Sequence, residues 1–165
     1  MRHRIFIAIN LPEDTKEELA SHQDKWPELP VRWTKKENLH ITLEFLGYVQ
    51  DQEILAILKN TQELAQKYNS FDIKLLKICY GPPDKIPPRM IWAVGEKMKE
   101  LNIVPHVTLG RIKTWQWKQI EPEERPEIEE DINLNFEVNS IEVMESILKR
   151  GGPQYTILES YPLND

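Results

Sequence analysis

The sequence predicts a mixed fold made of two repeated halves, each combining strands with helices. Segments of strand and helix character alternate along the 165 residues, and a proline-rich stretch separates two similar runs of elements. One tetrapeptide pattern occurs in both halves: His40-Ile41-Thr42-Leu43 and His106-Val107-Thr108-Leu109. This length and a hydrophobic content of 40% suit a single domain over residues 1–165.

Apolar and β-branched runs predict the strands of the first half, and helical spacing predicts its helices. The predicted strands are Arg4 to Leu11, His40 to Leu46 and Phe71 to Tyr80, with a short extended piece from Val31 to Thr34. The predicted helices run from Pro12 to Trp26 and from Asp51 to about Tyr68, each with a residue type favoured at helix starts.

The stretch from Gly81 to Pro88 contains four prolines in eight residues and predicts the junction between the halves. Predicted strands follow at Met90 to Val94, Pro105 to Ile112, Phe136 to Ile147 and Tyr155 to Leu158, with an acidic loop and helix inside Thr114 to Asp131.

The second half is shorter than the first at one step. Ile5 precedes His40 by 35 positions, whereas Ile91 precedes His106 by only 15, which leaves no room between residues 95 and 105 for a helix like the one from Pro12 to Trp26. The sequence leaves open whether this helix is naturally reduced or missing from the chain.

Composition restricts the location and the partners. A net charge of −6 argues against wrapping a long nucleic acid backbone, so any nucleic acid contact should be local, such as an end. Cys79 is the single cysteine, which excludes an internal disulfide and a multi-cysteine zinc site. The apolar run from Ile5 to Ile9 is too short for a signal peptide or a membrane span. We expect a cytoplasmic monomer that does not bind membranes.

The repeated tetrapeptides predict a chemical site. Residues two apart on a strand share a face, so His40 and Thr42 point one way while Ile41, Leu43 and Phe45 point the other. His106 and Thr108 repeat the pattern. If a pseudo-twofold axis relates the halves, two imidazoles and two hydroxyls would face one cleft.

Two histidines can remove one proton and deliver another, because an imidazole titrates near neutral pH. Threonine hydroxyls can donate hydrogen bonds to phosphate oxygens. A metal between the two histidines is conceivable, but threonine is a poor ligand and no third ligand is indicated. We therefore expect neither a metal nor a cofactor.

Paired motifs in this order resemble those of the 2H phosphoesterase superfamily, in particular the RNA 2',3'-cyclic phosphodiesterases, also called 2'-5' RNA ligases. The residues that carry the resemblance are Glu37 to Gly47, Pro105 to Arg111, Arg4 to Ile9 and Gly152 to Tyr155. The resemblance thus covers nearly the whole chain.

The resemblance implies a bilobal α+β fold in which duplicated antiparallel sheets surround a central cleft and helices pack outside. It also implies that the 2',3'-cyclic phosphate at RNA 3' ends, or that of nucleoside 2',3'-cyclic phosphates, is hydrolysed to a 2'-phosphate and a free 3'-hydroxyl. His40 would then protonate the leaving O3', and His106 would activate water. Two alternatives stay open: the reverse reaction, which joins RNA ends through a 2'-5' linkage, and a non-catalytic module that only binds nucleotides.

Arg111 corresponds to a basic position of the family and is a candidate phosphate ligand. Strict alternation from His106 places it on the opposite face, so it reaches the cleft only through a bulge at Gly110 or by wrapping around the strand end; a surface salt bridge is the alternative. Tyr155, Phe6 and Trp33 are candidates for stacking on the terminal base, although core packing is favoured for each. His3 and His22 are expected to be solvated.

Overall fold

Nine strands and three α-helices follow one another in the computed structural model, which describes residues 1–165. The strands are β1 (Arg2–Asn10), β2 (Val31–Trp33), β3 (His40–Gln50), β4 (Phe71–Gly81), β5 (Met90–Gly95), β6 (His106–Ile112), β7 (Glu129–Val138), β8 (Ser140–Lys149) and β9 (Gly152–Pro162). The helices are α1 (Glu13–His22), α2 (Asp51–Ala65) and α3 (Thr114–Lys118). The pairs β1–β3, β1–β8, β2–β6, β4–β5, β5–β6 and β8–β9 are antiparallel, which confirms the predicted α+β class.

The chain folds as two units that are each assembled from separate segments. The first unit contains Met1–Asn10, His40–Ile73 and Glu137–Asp165, and the second contains Leu11–Leu39 and Lys74–Phe136. The proline-rich stretch 81–88 lies within the second unit, between β4 and β5. A single domain over residues 1–165, with its lobe junction near 81–88, stays a prediction.

In the first unit, the strands lie in the order β3-β1-β8-β9, and α2 covers one face of them. Ile5, Val49 and Val143 form the buried apolar cluster on that face. Apolar residues of α2 pack on this cluster, because removing apolar surface from water stabilises the folded state. They are Ile54, Ile57 and Leu58.

In the second unit, the strands lie in the order β7-β4-β5-β6, and β2 also pairs with β6. Leu75, Ile78 and Ala93 are fully buried on β4 and β5. Val107 and Leu109 are fully buried on β6. These residues hold β6 in the sheet, so the strand of the second histidine motif is fixed by its apolar positions.

Most predicted elements are present, with shifted ends. The first predicted helix comprises α1 and a 3₁₀ turn at Gln23–Lys25, and the second ends at Ala65 rather than near Tyr68. The acidic stretch holds the short helix α3 and a 3₁₀ turn at Pro122–Glu124, but β7 already begins at Glu129, where loop and helix were expected. Alternate residues of β7 are shielded from solvent, so pairing overrides the acidic composition there.

The prediction that the step between residues 95 and 105 has no room for a helix like the one after β1 is confirmed. Between β5 and β6 the backbone makes a reversal closed by a bridge between Met98 and Ile103, where the Met98 N–H donates to the Ile103 carbonyl at 2.7 Å. Asn102 adopts a positive φ of 55°, a conformation that asparagine tolerates better than most residues. No helix of the protein has the length and the apolar character needed to cross a membrane.

Both remaining histidines differ from the expectation that they are solvated. His22 is buried, and its Nδ1 lies 3.5 Å from the Glu130 carboxylate. The His3 ring lies between two carboxylates on the α2 side of β1: Nδ1 is 2.7 Å from Glu145 Oε2, and Nε2 contacts Asp51 Oδ1. The carboxylates of Glu145, with the larger effect, and of Asp51 accept hydrogen bonds from the His3 ring and raise the pKa of His3 above its ordinary value of 6.5.

We expect this cluster to make stability depend on pH. Because the pKa of His3 is raised in the folded chain, its stabilisation is complete below pH 6.5 and is lost as pH rises through the raised pKa. The hydrogen bond to His3 also lowers the pKa of Asp51 below 3.8. The stabilisation by the His3–Asp51 pair is therefore lost in strong acid, as pH falls through the lowered pKa of Asp51. The free energies of unfolding in urea of the wild-type protein and of His3→Gln should therefore differ more at about pH 5.5 than at about pH 9.

A double-mutant cycle with Glu145→Gln isolates the pair from other effects of the substitutions. A coupling free energy between His3 and Glu145 that is the same at both pH values would contradict this account.

Candidate active site

The first motif lies at the start of β3, where Asn10 pairs with His40 and Ala8 pairs with Thr42. Ile41 between them is buried in the core, so the His40 and Thr42 side chains share the opposite face. Nε2 of His40 lies 2.9 Å from Oγ1 of Thr42, within hydrogen-bond distance. The imidazole and the hydroxyl predicted from the sequence are thus brought together.

Two aromatic rings surround His40. The ring centroid of Phe6 lies 5.1 Å from that of the imidazole, and the Tyr155 ring meets the imidazole edge-on at 5.2 Å. Phe6 and Tyr155 also pack on each other at 5.1 Å. Since Phe6 is only 3% exposed, it packs in the core and offers no open face to a base. Tyr155 lies beside the candidate catalytic group.

A buried carboxylate that the sequence analysis missed holds the strand next to His40. Glu142 accepts a hydrogen bond from the Asn10 N–H at 3.0 Å and another from the Ser160 hydroxyl at 2.7 Å. Hydrogen bonds to a charged group contribute about 1.5–3 kcal/mol each, and a buried carboxylate requires them. Glu142 therefore fixes the end of β1 that pairs with His40. The sequence signal that could have identified Glu142 is its position as a glutamate inside the apolar run of β8.

The second motif repeats this geometry on β6, where Val94 pairs with His106 and Trp92 pairs with Thr108. The Trp92 ring stacks on the His106 imidazole, with 4.0 Å between centroids and 26° between planes. On its other side Trp92 lies against Gly81, where a Cβ atom would come within 2.3 Å of the indole. Only glycine leaves room for the indole there, so Trp92 is held between Gly81 and His106.

Burial sets the charge state of His106. Removal from solvent lowers the pKa of His106 below 6.5, and a hydrogen bond to the backbone carbonyl of Val104 offsets this only in part. The imidazole is therefore neutral at neutral pH. A carbonyl can only accept, so the ring nitrogen that faces Val104 carries the proton and the other nitrogen can take one.

Each motif is followed by a β-bulge at the same position. In β3, Thr42 pairs with Ala8 and Glu44 with Ile7, so Leu43 is an extra residue. In β6, Thr108 pairs with Trp92 and Gly110 with Ile91, so Leu109 is an extra residue. A bulge re-aims the side chains that follow it, so strict alternation ends after the threonine of each motif.

The bulges change the predicted positions of two side chains. Phe45 was predicted to lie opposite His40, but it pairs with Phe6 and lies on the His40 face. Arg111 lies on the Thr108 face because Leu109 is the extra residue of a bulge. The expected bulge position was Gly110, one residue later. There the Arg111 guanidinium and the Thr108 hydroxyl contact the Met90 sulfur at 3.7 and 3.9 Å.

Trp33, the third stacking candidate, has a packing role. It pairs with Gly110, where a Cβ atom would lie 2.9 Å from the Trp33 ring. Nowhere in the protein do three or more histidine, cysteine, aspartate or glutamate side chains come together in a group that could hold a metal ion.

Comparisons with known proteins identify a family that this chain resembles. The family model described as LigT like Phosphoesterase matches residues 9–92. The RNA 2',3'-cyclic phosphodiesterase of Methanocaldococcus jannaschii is 32% identical over 178 aligned positions, which cover 96% of this chain and 99% of that protein. The RNA 2',3'-cyclic phosphodiesterase of Aquifex aeolicus is 31% identical over 175 positions, covering 88% of this chain and 90% of the relative.

Solved structures give the same result for the fold. TT0787 of Thermus thermophilus superposes with a TM-score of 0.80 and 26% identity, over 97% of each chain. LigT of E. coli, in a complex with phosphate, has the same fold with a TM-score of 0.77 and 23% identity over 99% of each chain. The match over about half the chain and the identity to full-length relatives show that this chain belongs to the LigT-like phosphoesterase family of the 2H superfamily.

Proposed function

We propose that this protein hydrolyses the 2',3'-cyclic phosphate at RNA 3' ends to a 2'-phosphate and a free 3'-hydroxyl, with His40 and His106 acting on one phosphate. The main observation behind this proposal is that the two motif strands have equivalent backbone arrangements. Each presents a histidine and a threonine on one face and inserts one extra residue directly after the threonine. Relatives across nearly the full length of the chain are named RNA 2',3'-cyclic phosphodiesterase.

In the proposed reaction, His106 is the general base. Its neutral imidazole takes a proton from water, the water oxygen bonds to phosphorus, and the bond from phosphorus to O3' breaks. His40 gives its proton to O3', so one proton enters the protein and another leaves it. The lowered pKa of His106 supports its role as base, and the family resemblance supports the role of His40 as acid.

Three further residues complete the proposed site. Thr42 and Thr108 donate hydrogen bonds to the non-bridging phosphate oxygens, where charge is concentrated in the transition state. Arg111 adds a cation on the Thr108 face and can hold an oxygen with a charge-assisted hydrogen bond. Tyr155 borders the terminal nucleotide beside His40. Both proton transfers are assigned to imidazoles, so the proposed mechanism uses neither a metal nor a cofactor.

Replacing either histidine should abolish most of the activity. His40→Ala and His106→Ala should each lower kcat/KM for a nucleoside 2',3'-cyclic phosphate by about 10²- to 10⁴-fold in EDTA, because each imidazole transfers a proton in the transition state. Product release followed by chromatography measures the rate, and circular dichroism checks the fold. His3→Gln is the matched control because His3 lies on the other face of β1. Full activity in either alanine variant would refute the mechanism.

The pH dependence should depend on how deeply His106 is buried. The pH profile of kcat/KM should be bell-shaped, and its acidic limb should lie below pH 6.5 because burial lowers the pKa of His106. Trp92→Leu removes the stacked ring and admits water, which raises this pKa towards 6.5 and moves the acidic limb to higher pH.

Trp115→Leu serves as the control for loss of an indole, since Trp115 is exposed and lies on α3. An acidic limb that does not move in Trp92→Leu would show that His106 is not the group that titrates there.

A further inference from the structure

Two arginines of β1 share a face with the side chains that pack on His40. Both bulges of the β1–β3 pair place their extra residue on β3, so alternation along β1 is unbroken. Phe6 packs on His40, and therefore Arg4 and Arg2 lie on that same face, two and four residues further from the site. The opposite face of β1 carries His3 and Ile5 towards α2.

Two exposed aromatic rings of β3 lie next to these arginines. The extra residues Leu43 and Leu46 change the repeat of β3 from two residues to three, so Phe45 and Tyr48 continue the face of Thr42. The Arg4 guanidinium lies 5.0 Å from the Phe45 ring centroid, and the Arg2 guanidinium lies 4.6 Å from that of Tyr48. We name these four residues the arginine-aromatic track.

The exposure of the rings indicates a binding surface. Phe45 is 55% exposed and Tyr48 is 56% exposed, so neither ring is used for core packing. Each pair combines a flat apolar face with a cation, in a protein whose net charge is −6. Bases stack on aromatic rings and on guanidinium planes, and phosphates pair with arginine, so single-stranded RNA fits this chemistry.

The length and direction of the track also fit RNA. Ala8 pairs with Thr42, and Arg4 lies four residues further along β1, a distance of about 13 Å; Arg2 lies about 20 Å away. A terminal cyclic phosphate held at His40 ends the RNA on its 3' side. The rest of the strand can continue only in its 5' direction, across a surface that borders the site.

We infer that the arginine-aromatic track binds the nucleotides on the 5' side of the terminal cyclic phosphate. This inference rests on the proposed function and adds to it a preference for oligonucleotides over mononucleotides. The bases stack on Phe45 and Tyr48, while Arg4 and Arg2 neutralise the phosphates between them.

The test compares a tetranucleotide that ends in a 2',3'-cyclic phosphate with a nucleoside 2',3'-cyclic monophosphate. Tyr48→Ala should lower the ratio of their kcat/KM values about tenfold, in the range for loss of one stacked base. Arg4→Gln should lower the same ratio and weaken its dependence on salt. Trp115→Ala and Arg150→Gln remove an exposed ring and an exposed cation elsewhere and should leave the ratio unchanged.

The outcomes separate this inference from the proposed function. If wild type hydrolyses both substrates but Tyr48→Ala keeps the wild-type ratio of kcat/KM values, the inferred RNA binding by the track is wrong and the proposed function stands. If wild type hydrolyses neither, the proposed function fails. In that case, binding of a labelled tetranucleotide 2'-phosphate tests the arginine-aromatic track independently of catalysis. The inference requires that Tyr48→Ala binds this ligand about tenfold more weakly than wild type does. A wild-type dimer that Tyr48→Ala dissociates in sedimentation would overturn the RNA assignment, because the track would then join two copies of the chain.

Discussion

Each histidine strand has one more residue than its partner directly after the His-x-Thr motif, Leu43 in β3 and Leu109 in β6. Before the bulge, ordinary alternation places the histidine and the threonine on one face. After it, the side chain three positions beyond the threonine returns to that face, which is Phe45 in one unit and Arg111 in the other. This change of alternation places a third side chain on the histidine face of each motif.

The two motifs share their backbone arrangement but differ in their neighbours, and the proposed division of labour depends on this difference. Ala8 and Trp92 occupy equivalent positions opposite the threonines. The indole stacks on His106, whose burial lowers its pKa, whereas alanine has no ring that could stack on an imidazole. The same backbone can therefore hold one histidine suited to accept a proton and another proposed to donate one.

Alternation and residue type predicted the strands, the histidine faces and the absent helix, because burial and chain length alone determine those features. The bulges could not be predicted, since they arise from the pairing register and leave no mark in the tetrapeptides. For the same reason strict alternation placed Phe45 on the wrong face and left open how Arg111 reaches the face of Thr108. Trp92 and Glu142 were missed because their roles depend on neighbouring strands, which a single sequence does not reveal.

A crystal structure of the protein with a bound nucleoside 2'-phosphate can establish whether both histidines act on one phosphate. We expect ring nitrogens of His40 and His106 both to lie within about 3.2 Å of oxygens of that phosphate or of the ribose O3'. A phosphate that contacts only one of the two imidazoles, with the other facing a different surface, would refute the proposed mechanism.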